Sequence, residues 1–229
     1  MGLLADPARK KFDFKGMVVG YVQSGKTANF TGLIAKAADA GYRLIVVFSG
    51  IHNNLREQTQ VRLDKELTGV QDFPSNETFV SKPKATARWE RLTNADFDFS
   101  TGHSSLFSQA CQSPGPVLAV TKKNVKVMDK LIAYLAAATP EERAKMPLLV
   151  IDDEADQASI DTNANDPNTD PSKTNAKIRE LLDLFPRKTY IGYTATPFAN
   201  VLIDVENNCL LYTSPSPRDL STSRMPSSA

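Results

Sequence analysis

Short unbroken apolar runs alternate with longer amphipathic stretches through most of the chain. Residues 16–20, 43–48, 116–120, 147–151 and 188–193 are short, rich in Val, Ile, Leu and Tyr, and bounded by Gly, Pro or polar residues. Runs of that length and composition predict strands buried on both faces. Residues 26–40, 53–67, 123–138 and 174–184 carry apolar positions at helical spacing. Strands that alternate with helices imply right-handed crossovers and a mostly parallel sheet with helices on both faces. The expected fold class is therefore α/β. In such sheets ligands bind at the carboxyl ends of the strands.

The pattern weakens in three places. Residues 69–113 hold Trp89 between Arg88 and Glu90, followed by a polar run; a short helix near 84–93 and a surface loop are expected. Trp89 beside arginines could stack a base, but capping of the core is the plainer expectation. Residues 161–174 read as a polar loop, either a lid or a solvated insert. From Leu210 the chain becomes Ser/Pro-rich without apolar period, so residues 210–229 are expected to be disordered.

The strand ends carry the candidate chemistry. Gly20-Tyr-Val-Gln-Ser-Gly25-Lys26-Thr27 follows the first strand and opens the first helix. It fits the phosphate-loop pattern G-x-x-x-x-G-K-[ST] at every defined position. Glycines let successive N–H groups turn toward phosphate oxygens, and the helix N-terminus adds a favourable dipole. Gly20, Gln23, Ser24, Gly25, Lys26 and Thr27 are thus candidate nucleotide-binding residues, with Lys26 on the β/γ-phosphates and the Thr27 hydroxyl on Mg²⁺. The strand at 147–151 ends in Asp152-Asp153-Glu154-Ala155-Asp156. A nucleotide hydrolase needs one carboxylate for the metal and one to orient the attacking water. Asp153 is assigned to the metal and Glu154 to the water; the repeated Asp leaves Asp152 as an alternative for the metal. The expected cofactors are ATP and Mg²⁺.

A third element, Thr194-Ala195-Thr196, closes the strand at 188–193. The order G-x-x-x-x-G-K-T, D-E-A-D, T-A-T resembles motifs I, II and III of superfamily 2 helicases. The third motif there couples the nucleotide site to nucleic acid. Four longer strings, at residues 16–30, 50–59, 151–159 and 193–201, resemble the Z1 domain of helicase-like endonucleases. That resemblance covers about residues 14–206 and implies a RecA-like P-loop NTPase domain, ATP hydrolysis, DNA as partner, and a role in restriction or defence. It also implies a second RecA-like domain and a nuclease region elsewhere in the native protein. No nuclease centre is recognisable here. Residues 16–209 are expected to form the ATPase domain, after a lead-in over 1–15, with truncation at that end left as an alternative. The tail from about 210 resembles translated sequencing-adapter DNA, which implies a non-native end.

Candidate nucleic-acid contacts follow the second and third strands. Asn53, Arg56, Gln58 and Thr59 open a helix after Ser49-Gly50, and Thr121 and Lys122, with Lys123 and Asn124 behind them, hold the equivalent place after residues 116–120. Phosphate contacts come from such side chains and helix N-termini; helix capping by Asn, Ser and Thr is the alternative.

Bulk properties narrow the picture little. There are 229 residues, with 27 basic and 26 acidic side chains and a net charge of +1, so no global charge signature of nucleic-acid binding exists. No apolar run approaches a membrane span, and the first residues have the wrong order for a signal peptide. Cys111 and Cys209 form no disulfide framework, so a reducing cytoplasm is expected. His52 and His103 have no metal-spaced partners. Two other function classes remain: a nucleotide-binding fragment without turnover, and a P-loop switch or kinase. The full motor reading needs an arginine finger from elsewhere, with Arg179 and Arg187 as candidates within the chain.

Overall fold

The computed structural model describes residues 4–20, 25–69, 89–100, 107–155, 171–195 and 210–213. Its centre is an all-parallel sheet of β1 (Phe12–Val19), β2 (Leu44–Ser49), β3 (Glu90–Arg91), β4 (Val117–Thr121), β5 (Leu148–Asp153), β6 (Arg187–Thr194) and β7 (Leu210–Thr213). The spatial order is β3-β4-β2-β5-β6-β1-β7. The expected α/β class with a parallel sheet is therefore present, in an arrangement compatible with a RecA-like domain.

Strand alternation sorts the core into two layers. Ile45, Val47, Leu118, Val120, Leu149 and Ile151 pack with Phe30, Ile34 and Ala37 of α1 (Lys26–Ala40) and Leu63 of α2 (Asn53–Leu63). The intervening residues Leu44, Val46, Phe48, Val117, Ala119, Leu148 and Val150 face the other way. They meet α3 (Phe107–Gln112), α4 (Val125–Ala136) and α6 (Pro171–Asp183). β2 is buried at all six positions, which is why it reads as a continuous apolar run rather than an alternating one. A short α5 (Pro140–Ala144) is set by a capping box between Thr139 and Glu142.

Several boundaries differ from expectation. β1 starts at Phe12, so part of the expected lead-in is strand. More of it is packed structure: Leu4 and Ala5 lie on the α1-side core, the Tyr42 hydroxyl donates to the Ala5 carbonyl at 2.9 Å, and Arg187 Nη1 donates to the Pro7 carbonyl. Apolar residues at 12 and 14 alternate with Asp13 and Lys15, and that half-polar pattern hid the strand's first half. The described end of the expected helix near 84–93 is extended instead, because Glu90 and Arg91 pair with β4. Trp89 lies against the α1-side core, as a capping residue should. The second helix ends at Leu63 and passes into a π-helical turn, Asp64–Thr68. There the buried Asp64 carboxylate accepts from Gln60 and from Arg91 at 2.9 Å. The polar loop expected to 174 gives way to α6 at Pro171. The expectation of disorder from 210 is corrected for four residues: Leu210–Thr213 pair with Gly16–Val19. β1 presents an open backbone edge there, and a β-prone Leu-Leu-Tyr-Thr run can satisfy it. Residues 1–3 and 214–229 lie outside the described residues.

Candidate functional site

The carboxyl ends of β1, β5 and β6 lie side by side along one edge of the sheet. Val19 pairs with Thr194, and the Gly20 amide donates to the Thr194 carbonyl at 2.9 Å. The candidate phosphate loop therefore leaves the sheet directly beside the Thr194-Ala195 turn. Of the loop, Gly20 and Gly25 to Thr27 are described; Gln23 and Ser24 lie outside the described residues, as does Thr196. Gly25 is left-handed at φ 78, a conformation suited to glycine, and α1 begins after it with no side-chain cap. Its first amides are thus left for an anion. Lys26 Nζ reaches back to the Gly20 carbonyl at 3.3 Å, a long bond that a phosphate could replace.

The two aspartates at the end of β5 part company. Leu148 and Val150 face α4 and α6, and Asp152 shares that face by the strand's period of two. It is fully buried. Lys123 Nζ stands 2.6 Å from its Oδ1, and the Tyr190 hydroxyl donates to its Oδ2 at 2.7 Å. Burial, with the Asp152 charge beside it, raises the Tyr190 phenol well above its ordinary value. Leu149 and Ile151 face α1, and so does Asp153. Burial, and then the neighbouring Glu154 charge, push the Asp153 carboxyl up to about 6, against the opposing pull of Lys123 and Lys26. Asp153 is thus the aspartate within electrostatic reach of Lys26.

Glu154 is the one non-glycine residue with positive φ, 56°, among the described residues. Such backbone is uncommon outside glycine and concentrates at functional sites. Its amide donates to Asp153 Oδ1 at 3.1 Å, and its carbonyl accepts from Lys123 Nζ at 2.6 Å. Glu154 Oε2 and Ser49 Oγ are buried with no hydrogen-bond partner among the described residues. Ser49 pairs with Asp153 across β2 and β5. Buried orphan oxygens call for a ligand, ion or water, so this donor set fits a hydrated cation and an attacking water. Among the described residues no three His, Cys, Asp or Glu side chains gather as a metal site. A divalent ion would take most ligands from water and phosphate, as Mg²⁺ does.

The candidate nucleic-acid residues divide sharply. Asn53 and Gln58 are exposed, and Lys122 Nζ donates to Asn53 Oδ1 at 2.9 Å, joining the two turns on the surface. Arg56 is corrected: it is 3% exposed, and its guanidinium donates to the carbonyls of Asn94 and Ala95. Thr59 and Thr121 are likewise buried and offer no surface for a phosphate. Lys123 is 1% exposed and belongs to the acids, not to a surface. Asn124 is the N-cap of α4, accepting from Lys126 and Val127 amides. Sequence reading missed Lys123 and Tyr190 as partners of Asp152. The period of two was visible, but which helix covered which face was not. Arg187 opens β6 at the opposite edge of the sheet, about 23 Å from Thr194 at strand rise. It cannot reach the acids. Arg179 is exposed on α6.

No protein-family model matches this chain, and no curated protein matches it significantly. Among the described residues no helix is long and apolar enough to cross a membrane.

Proposed function

We propose that this chain binds ATP with Mg²⁺ and forms the nucleotide-hydrolysing part of a helicase-like protein acting on DNA, of the kind the Z1 resemblance implies. One observation carries the reading. The loop after β1, the acids after β5 and the Thr194 turn after β6 converge on one edge of a single parallel sheet, where such sheets bind ligands. Each residue then has a task. Amides of Gly25 to Thr27 and the Lys26 ammonium hold the phosphates. The Thr27 hydroxyl and Asp153 hold the metal's water shell. Glu154, with a buried oxygen that has no partner among the described residues, orients the attacking water and takes its proton. When bound, Mg²⁺ neutralises charge on the β- and γ-phosphates. Thr194 and Ala195 link this edge to the surface carrying Asn53, Gln58 and Lys122.

The alternative of binding with little turnover is favoured for this chain alone by the place of Arg187 and Arg179. Arg187 lies at the far end of β6 from the acids and Arg179 is exposed on α6 with no bond to them among the described residues, so on this reading the arginine that stabilises the transition state comes from elsewhere. A P-loop kinase or switch explains the loop but not the acid pair or the Thr194 turn.

The test is calorimetric titration of ATP into the chain with and without Mg²⁺, followed by ATPase assay with and without DNA. Absence of Mg²⁺-dependent ATP binding would overturn the reading. Robust DNA-stimulated turnover by this chain alone would overturn the need for an outside arginine.

A further inference from the structure

We propose that Lys123 is the positioning residue of the acid site: its ammonium grips the Glu154 carbonyl and holds the left-handed turn that aims both Asp153 and Glu154. This rests on the nucleotide reading above for its purpose. Lys123 Nζ lies 2.6 Å from the Glu154 carbonyl oxygen and 2.6 Å from Asp152 Oδ1, in a side chain only 1% exposed. A left-handed non-glycine residue persists only where its surroundings over-determine it. Here two bonds do so. The Glu154 carbonyl is held by Lys123, and its amide is spent on Asp153 Oδ1. Relaxation of the turn would release the Asp153 carboxylate and swing Glu154 together.

The support beneath the turn is equally specific. Gly192 is in register with Asp152, and a Cβ there would stand 3.2 Å from Ala155 Cβ. The missing side chain lets the turn settle onto β6. From the other side, the Lys123 amide donates to the Gly50 carbonyl at 2.8 Å, so the lysine's own backbone is fixed to the end of β2. Asp152, whose Oδ1 stands 2.6 Å from the Lys123 ammonium as an ion pair without hydrogen-bond geometry and whose Oδ2 accepts from Tyr190, is the fixed base of this arrangement rather than a metal ligand.

The experiment uses the 229-residue chain and three variants. Lys123→Met with Asp152→Asn removes both buried charges and the grip on the carbonyl. Lys123→Gln with Asp152→Asn removes the charges but keeps an N–H donor. Asp152→Asn alone keeps the lysine. Amide hydrogen exchange over residues 152–155 and the gain in ATP affinity on adding Mg²⁺ are measured for each. The Met double variant should lose turn protection and lose about tenfold or more of the Mg²⁺-dependent gain, the usual effect of removing a group that orients a metal ligand. The Gln double variant should recover part of both, and Asp152→Asn should retain turn protection. Should the Met double variant fail to fold, Asp152→Asn decides alone: loss of turn protection there means that the ion pair, not the carbonyl grip, holds the turn, and overturns the proposal. Unchanged exchange and Mg²⁺ gain in the Met double variant also overturn it. A wild-type chain that binds no ATP overturns the nucleotide reading and this purpose with it. Binding with unchanged Mg²⁺ dependence overturns only the role of Lys123.

Discussion

Replacing Lys123 by Met should be among the most damaging single changes in this protein. The apolar stem is matched by the methionine, so packing is nearly conserved. What is lost is the counter-charge of Asp152, which is 0% exposed. Tyr190 continues to donate to Oδ2 at 2.7 Å, but Oδ1 loses the ammonium at 2.6 Å. Breaking a buried ion pair by removing one partner costs about 3–5 kcal/mol, because a charge remains in low dielectric. The loss of the Glu154 carbonyl's donor adds to it, by up to about 1–3 kcal/mol if no water replaces the lysine. Against a total stability of about 5–15 kcal/mol for such a domain, this is a large share. At about 2–4 °C per kcal/mol, the thermal midpoint should fall by at least about 6 °C and by as much as about 32 °C. Urea denaturation should show a lower midpoint at unchanged slope. Asp152→Asn in the same background should restore most of the loss, since a neutral pair of similar volume is often as stable as the ions it replaces. A double-mutant cycle then reads a coupling of about 3 kcal/mol or more. Lys123→Met within about 0.5 kcal/mol of wild type would refute the reasoning and mean that water reaches the pair.

Four further outcomes follow from the same geometry. Lys26→Ala should abolish ATP binding in calorimetry while shifting stability by less than about 1 kcal/mol, because its one side-chain bond among the described residues is a long one to the Gly20 carbonyl. Glu154→Gln, in a preparation that turns ATP over, should leave binding intact and lower the rate by about 10²-fold or more; hydrolysis at the wild-type rate would remove Glu154 as the base. Asp153, raised to about 6 by burial and Glu154, favours folding when protonated. Its contribution to stability is full below about pH 4 and is lost as pH rises to about 6; Asp153→Asn should flatten that part of the stability profile, and Mg²⁺-dependent ATP binding should weaken as pH falls below about 6. Arg56→Ala should destabilise by about 2–4 kcal/mol in urea titration, from a buried guanidinium that serves two carbonyls, whereas Lys122→Ala should leave stability alone and reduce the salt dependence of DNA binding.

The parts of this protein that were legible in sequence are those set by local rules. Five strands, the first only in its second half, and α1 announce themselves through residue type and period, since a doubly covered strand must be apolar throughout and a helix on a sheet must be amphipathic. α1 falls on residues 26–40, where its spacing put it. The phosphate-loop pattern and the acidic run were legible because their spacing lies within a few consecutive residues. Only the tertiary structure decided what depends on neighbours distant in sequence. Asp152 and Asp153 are chemically identical and adjacent, yet one is sealed against Lys123 and Tyr190 while the other faces α1. Period two separates their faces, but the strand order and the side taken by each helix settle which face lies toward α1 and the loop that precedes it. Arg56 and Lys123 looked like surface cations until loops 94–95 and 152–154 closed over them. β3 and β7, of two and four residues, exist because a neighbour's backbone edge was open, not because of any strong local preference. A charged side chain's address is set by which partner desolvates it, and that partner is chosen by the crossing of strands far apart in the chain.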